Sequence, residues 1–408
     1  MKMRPDLVPD GETLEVFQLT EETHVPSSHV YMEAQISTPD SKRVILHRSA
    51  TPHGSDPKDR EHQFLICDLE DSGNLVPITT ELGTTGPSIS PDGEFLYYFV
   101  NETKPGGGPF SLRRVRMDGT ERETLYVLDH AIPDTDYRFS RPYPLSTLSS
   151  DGKRIAISGF LGDGQTIGAP WGLLVFELEE PSVRLILQGP SWCNIHPQYT
   201  RETGPEASHD IMVQENHGNT ASADGKLEKL VSGLGADIHL IRDDGTNFRN
   251  FPWGRNDNEF CQGHQCWIGQ SNTAITSTTT DEPNEHQLIA GRSAPHSGHD
   301  GINTPEGWRM NFSRSFKDPH FWHFATDIQG KWLITDSGPR DEGGSVWVFD
   351  LPEEEDGSLQ NPCKVANPGS SWTKDSHIHP FLSPDGKSGF FNSDESGILQ
   401  AYMVRGWA

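Results

Sequence analysis

The sequence predicts an all-β fold, and three observations carry that prediction: a turn-rich composition, a recurring turn-then-strand unit, and the spacing of its copies. Of 408 residues, 40 are Gly, 30 are Pro and 33% are hydrophobic, which is too long for one small core and too rich in turn formers for a helical chain. The clearest copies of the unit are Ser90-Pro91-Asp92-Gly93 before Phe95-Leu96-Tyr97-Tyr98 and Ser149-Ser150-Asp151-Gly152 before Ile155-Ala156-Ile157. Asp and Gly supply the turn, and the β-branched and aromatic run that follows supplies the strand.

Taken in order, the unit opens at Thr38-Pro39-Asp40-Ser41-Lys42 before Val44-Ile45-Leu46 and continues through the two copies above. Looser copies follow at residues 200–204 before Ile211-Met212-Val213, at 269–272 before Ala274-Ile275, and at 327–330 before Trp332-Leu333-Ile334. Ser383-Pro384-Asp385-Gly386 before Phe390-Phe391 is the seventh. Copies recur at roughly fifty to the high sixties of residues, a period that signals repeated supersecondary units. Second hairpins at Arg116-Met117-Asp118-Gly119-Thr120 and Arg242-Asp243-Asp244-Gly245-Thr246 give four strands per repeat. The prediction is a seven-bladed β-propeller of four-stranded antiparallel blades spanning 1–408. A large β-sandwich with coincidental Asp-Gly turns is the alternative. Residues 281–318 hold several Pro and Gly with little alternation and read as an inserted loop, placed to cover a pocket at the propeller mouth.

The charge balance narrows the partners. Lys and Arg total 33 against 59 Asp and Glu, for a formal charge of −26, which argues against nucleic acid, an anionic membrane or a long polyanion. A short acidic molecule remains open if a local basic group or a metal overrides the global field. No apolar leader follows Met1-Lys2-Met3, and no stretch approaches the roughly 18 apolar residues of a membrane helix. Cys67, Cys193, Cys261, Cys266 and Cys363 are odd in number and scattered, which predicts reduced thiols and a cytoplasmic setting.

Histidines recur just before the turns. His377 and His379 precede the last turn and His323 precedes the one before it, with His264 and His196 at the corresponding stations of the fifth and fourth repeats. On a strand, residues one apart point to the same side, so His377 and His379 form half of a metal site for a borderline divalent ion. His323 would complete a triad, with His320 a weaker rival. His264 is a candidate general base, a neutral imidazole suited to proton abstraction near neutral pH. His296 and His299 read as loop histidines.

The order Glu259 to Trp267, then His323, then Ser371-Trp372, His377-Ile378-His379-Pro380 and Ser383-Pro384-Asp385-Gly386 resembles the oligogalacturonate lyase family. Ala236 to Asn247 and Asn194-Ile195-His196-Pro197 extend the resemblance. It implies a seven-bladed propeller that binds manganese and cleaves short uronate oligomers by β-elimination. It also implies metal-binding roles for His323, His377 and His379 and a base role for His264. Two positions depart from the family pattern. Lys374 stands where the family has a glutamine ligand, and Asp237 stands where it has an active-site arginine. Lys374, Arg141, Arg138 and Arg201 are the candidate replacements for that arginine, and His196, Lys374, Arg141 and Arg201 the candidates for binding substrate. A different sugar acid or reaction, and a non-catalytic interaction propeller, are the alternative readings.

Overall fold

The computed structural model describes all residues except 22–23, 52–53, 56–58, 232–234, 255–258, 280–285, 294–306, 317, 339–342, 354–356 and 374–375. Seven antiparallel sheets follow one another along the chain as the blades of a propeller. Blade 1 runs Ser27–His29, Arg43–Arg48, Gln63–Asp68, Asn74–Pro77, and blade 2 runs Thr84–Ile89, Phe95–Asn101, Phe110–Arg116, Glu123–Leu128. Blade 3 is Ser146–Leu148, Arg154–Phe160, Trp171–Glu177, Ser182–Gly189, and blade 4 is Gln198–Tyr199, Asp210–Asn216, Ala236–Arg242, Arg249–Asn250. Blade 5 comprises Phe260–Trp267, Ala274–Thr279, His286–Gly291, Arg309–Asn311, and blade 6 Phe324–Thr326, Trp332–Ser337, Ser345–Asp350, Gln360–Ala366. In blade 7, Phe381–Leu382, Ser388–Ser393 and Gln400–Arg405 are completed by the N-terminal strand Glu15–Gln18, with Lys2–Met3 as a fifth, outer strand.

All seven turn signals fall between the first and second strands of a blade. Their chemistry is local: the Ser149 hydroxyl donates to Asp151 Oδ1 at 2.6 Å, Ser383 does the same to Asp385 at 2.6 Å, and Gly152 and Gly386 take φ 71°. In the first copy Ser41 occupies the left-handed place at φ 60°, so a side-chain hydroxyl turn survives without the glycine. The fourth copy is stretched by a short 3-10 turn, Ala207–His209.

The middle strands are buried on both faces because each blade is sandwiched between two others. Arg154–Phe160 is buried at every position, and Ile157, Leu174 and Phe176 pack with Phe99 and Leu112 of blade 2. That is why these strands read as near-continuous apolar runs instead of alternating ones. Each such side chain contributes about 1.5–3 kcal/mol on burial. The first strands ring the axis and bond to one another: Ser88 Oγ lies 2.8 Å from Ser146 Oγ, the Tyr199 amide donates to Thr147 at 2.8 Å, and the Thr326 hydroxyl donates to the Trp267 carbonyl at 2.7 Å. Closure joins the chain ends, with Val16 opposite Val404 and Phe17 opposite Met403, and Arg4 bonded to Glu395 at 2.8 Å.

The stretch 281–318 is not a uniform inserted loop. His286–Gly291 and Arg309–Asn311 are the third and fourth strands of blade 5, with Ile275 opposite Ala290 and Ala290 opposite Met310. His286–Gly291 is buried on both faces, which erases the alternation that would have marked it. The intervening 294–306, with His296 and His299, lies outside the described residues. Among the described residues no helix is long and apolar enough to cross a membrane.

Candidate metal centre and cavity

The predicted stations lie at the end of the channel opposite the Asp-Gly turns, and the backbone there is kinked. His377 and His379 precede the strand Phe381–Leu382 and are not themselves in a strand, so strand alternation does not orient them. His379 adopts φ 47°, and His196, equally two residues ahead of its strand, adopts φ 46°. A left-handed non-glycine residue costs about 1–2 kcal/mol, and such strain concentrates where a side chain must be aimed at a site.

His323, His377 and His379 come together: one ligand nitrogen from each lies within 4.8 Å of the others. The ring centroids of His323 and His379 are 4.1 Å apart, and His377 stands 5.6 Å from His323 and 5.4 Å from His379. His323 and His379 are buried, while His377 is half-buried. Asp336, on the second strand of blade 6, grips His323 twice. Its Oδ1 accepts from the backbone amide at 2.8 Å, and its Oδ2 lies 2.7 Å from Nδ1. That leaves Nε2 of His323 for the shared point, the usual way an outer carboxylate orients a metal-binding imidazole. Burial pushes the Asp336 carboxyl well above its ordinary range, opposed by the amides of His323 and His379. Trp372 lies parallel to His323 at 6.2 Å, and Tyr31 meets His379 edge-on at 4.7 Å. Three imidazole donors of this kind fit a borderline divalent cation. His320 is held beside Asp318 at 3.7 Å and is not part of the cluster.

His264 stands next to this cluster, its ring centroid 4.6 Å from that of His323. It lies in a bulge of Phe260–Trp267, where the register shifts between Cys261 and Gln265. Gly263 makes the bulge at φ 87°, and a Cβ there would lie 2.5 Å from Gln214 Nε2, so any other residue would strain the backbone and displace Gln214. The Thr276 hydroxyl donates to the His264 carbonyl at 3.0 Å and pins the backbone. His264 opens onto a cavity of about 410 Å³, a volume typical of small-ligand sites. Tyr143, Asn194, His196, Gln214, Asn216 and Gln262 supply its polar wall. Leu227, Leu230 and Val231 form an apolar wall, associated with the hairpin Thr220–Ala221 and Leu227–Lys229 that blade 4 carries between its second and third strands.

The other predicted substrate residues scatter. His196 lines the cavity but is only 5% exposed and is bonded to Glu33, Tyr143 and Asn194. Arg141 pairs with Asp224 at 2.6 Å, strapping the entry of blade 3 to the hairpin wall. Arg201 comes after its strand, at the turn end, and donates to the Thr326 carbonyl at 3.1 Å. Thr326 ends the strand that His323 precedes, so Arg201 is parted from the histidines by a strand length of roughly 10 Å. Arg138 donates to the Asp129 carbonyl at 3.3 Å, and Lys374 lies outside the described residues. Asp237 is 2.8 Å from His217 Nε2. Among the described residues lining the cavity there is no Arg and no Lys.

Three participants escaped the sequence reading. Asp336 carried a signal, an acid two residues beyond the apolar run Trp332-Leu333-Ile334 on one strand, and a charge buried there needs a partner. Glu33 and Tyr143 carried none, since both sit in loops that only the ring brings together.

No protein-family model matches the chain, and no curated protein matches it. Among solved structures it is similar to an oligogalacturonate lyase from Vibrio parahaemolyticus, with a TM-score of 0.69, 17% identity, and coverage of 99% of this chain and 97% of that one. It is equally similar to an oligogalacturonate lyase in complex with manganese, with a TM-score of 0.69, 18% identity, and coverage of 99% and 96%. The likeness is one of fold. A prolyl endopeptidase structure matches less well, at a TM-score of 0.51 and 10% identity, with 94% of this chain covering 50% of that one.

Proposed function

We propose that this propeller is a metal-dependent lyase that cleaves short uronic-acid-containing oligosaccharides, oligogalacturonate-like, by β-elimination. The observation that carries the reading is the position of His264, on the wall of a ligand-sized cavity and 4.6 Å from His323 of the triad. His264 is the base that takes the proton from the carbon beside the uronate carboxylate. His323, His377 and His379 would hold the ion, most simply Mn²⁺ as in the manganese-bound lyase of the same fold. A divalent ion there supplies Lewis-acid stabilisation of the charge that spreads into that carboxylate, worth several kcal/mol.

The remaining chemistry belongs to the chain's own side chains. The amides of Asn194, Gln214, Asn216 and Gln262 suit sugar hydroxyls, and the Leu227, Leu230 and Val231 wall suits the apolar faces of a ring while limiting water. Arg141 acts through its strap to Asp224 on that wall, and Lys374 is kept as a substrate contact. The strand-length separation of Arg201 argues against the same role for it. Five free cysteines fit a reducing, cytoplasmic setting.

One observation favours a second reading within the same site. A described lining without Arg or Lys, and an Asp237 engaged with His217, suit a sugar acid other than galacturonate. The test is elemental analysis of the purified protein, followed by the ultraviolet absorbance of unsaturated uronate on a panel of acidic oligosaccharides with and without chelator. Turnover that a chelator abolishes and a divalent ion restores supports the lyase. Metal without turnover on any uronate favours another reaction, and protein that retains no metal refutes both.

A further inference from the structure

β-Elimination needs two proton transfers, one from carbon and one to the oxygen that departs. The second matters because an alkoxide is a poor leaving group unless a proton reaches it. On the cavity wall, apart from the metal cluster, three blades contribute a chain of hydrogen bonds. Glu33 follows the first strand of blade 1, Tyr143 precedes that of blade 3, and His196 precedes that of blade 4. His196 Nδ1 lies 2.8 Å from Glu33 Oε2, and its Nε2 lies 2.9 Å from both Tyr143 Oη and Asn194 Nδ2. The side chains of His196 and Glu33 are 6% and 2% exposed, whereas Tyr143 is half-buried and faces the cavity that His264 faces.

Such a buried carboxylate and imidazole are costly to maintain, and the pair orients a single hydroxyl toward the space where substrate sits. Burial holds the Tyr143 phenol well above its ordinary range, so it stays protonated at neutral pH. Burial also raises Glu33, opposed by His196.

We propose that Tyr143 is the general acid that protonates the departing glycosidic oxygen, with His196 and Glu33 positioning it, an assignment that rests on the lyase reading above. As His264 takes the proton, the electron pair of the C–H bond becomes the new C=C bond and the C–O bond to the departing sugar breaks. The electrons of that bond remain on oxygen, which takes the Tyr143 proton. The phenolate recovers its proton from water as product leaves. One proton has entered the protein at His264 and one has left at Tyr143, and exchange with water resets both.

The test compares two substrates. One is a uronate disaccharide; the other carries para-nitrophenoxide in place of the departing sugar and needs no acid. Tyr143→Phe is expected to lose about 100-fold or more in kcat/KM on the disaccharide and less than about 5-fold on the aryl substrate, with His196→Gln showing the same selectivity. Equal losses on both, or none on either, overturn the general acid and leave the lyase standing. A wild-type protein silent on both removes the lyase reading and this one with it. A second measurement needs no variant: with acid catalysis the wild-type rate changes little with leaving-group basicity, and a steep dependence overturns the proposal.

Discussion

His264 and His323 face each other from adjacent blades with ring centroids 4.6 Å apart and planes inclined by 50°. One ring opens onto the cavity and the other belongs to the triad anchored by Asp336. In the proposed lyase, the group that takes the proton and a group that would hold the cation are therefore neighbours, as a reaction at the carbon beside a carboxylate demands. Their closeness still leaves them separable by mutation, because His264 is fixed by its bulged strand and His323 by Asp336.

The first prediction follows from that separation. His377→Ala and His379→Ala should lose bound metal, while His264→Ala should keep it and lose about 10²–10⁴ in kcat. Metal content by elemental analysis decides the matter alongside thermal melts. Added Mn²⁺ at 100 times its Kd should stabilise wild-type and His264→Ala protein by about 2.7 kcal/mol and leave the other two unmoved. Equal metal loss in all three would sink the division of roles.

Asp336→Asn tests the outer carboxylate. The amide preserves shape but weakens the grip on Nδ1 of His323, and metal affinity should fall about 10–100-fold. Competition against a fluorescent chelator measures this directly. Unchanged affinity would make Asp336 a fold residue only.

Gly263→Ala should disturb the base more than the ion. The added methyl would lie 2.5 Å from Gln214 Nε2, whose own bond to Asn216 is 2.8 Å, at a backbone φ of 87°. A loss of about 1–2 kcal/mol in stability is expected, with turnover falling further than metal content as His264 shifts. Denaturant melts and kinetics on one preparation check both; a variant with wild-type turnover would refute the bulge as the device that aims His264.

Glu215 sets a pH dependence of stability. Burial pushes its carboxyl up, but hydrogen bonds with His239 and Ser191, and the charges of His239 and His217, outweigh it and hold it at about 2 against 4.5. A carboxyl depressed by folding stabilises above its unfolded value and loses that contribution as pH falls toward the folded one. Wild-type protein should exceed Glu215→Gln by up to roughly 3 kcal/mol above about pH 4.5, with the gap closing toward about pH 2. Denaturant titrations across that range check it, and a gap that stays constant would refute it.

The Ser-Pro-Asp-Gly turns were legible because their chemistry is local: Ser149 and Asp151 bond two residues apart and Gly152 carries the positive φ. The strand His286–Gly291 was not, because burial on both faces removes alternation from the sequence. His323, His377 and His379 were legible as stations in a repeat, yet strand alternation does not orient the pair, which lies outside any strand. His379 sits at a left-handed φ of 47°, and backbone kinks of that kind leave no trace in a non-glycine sequence.

Residue order alone settled the number of blades, the place of each turn and which histidines share a station, since all of these depend on contacts a few residues long. The ring decided the rest. Glu33, Tyr143 and His196 are bonded neighbours although more than a hundred positions separate the first two, and Arg201 is carried away from the site it was expected to serve. Such meetings depend on how seven blades close around one axis, where burial of their facing sides, more than any local signal, sets which loop ends touch.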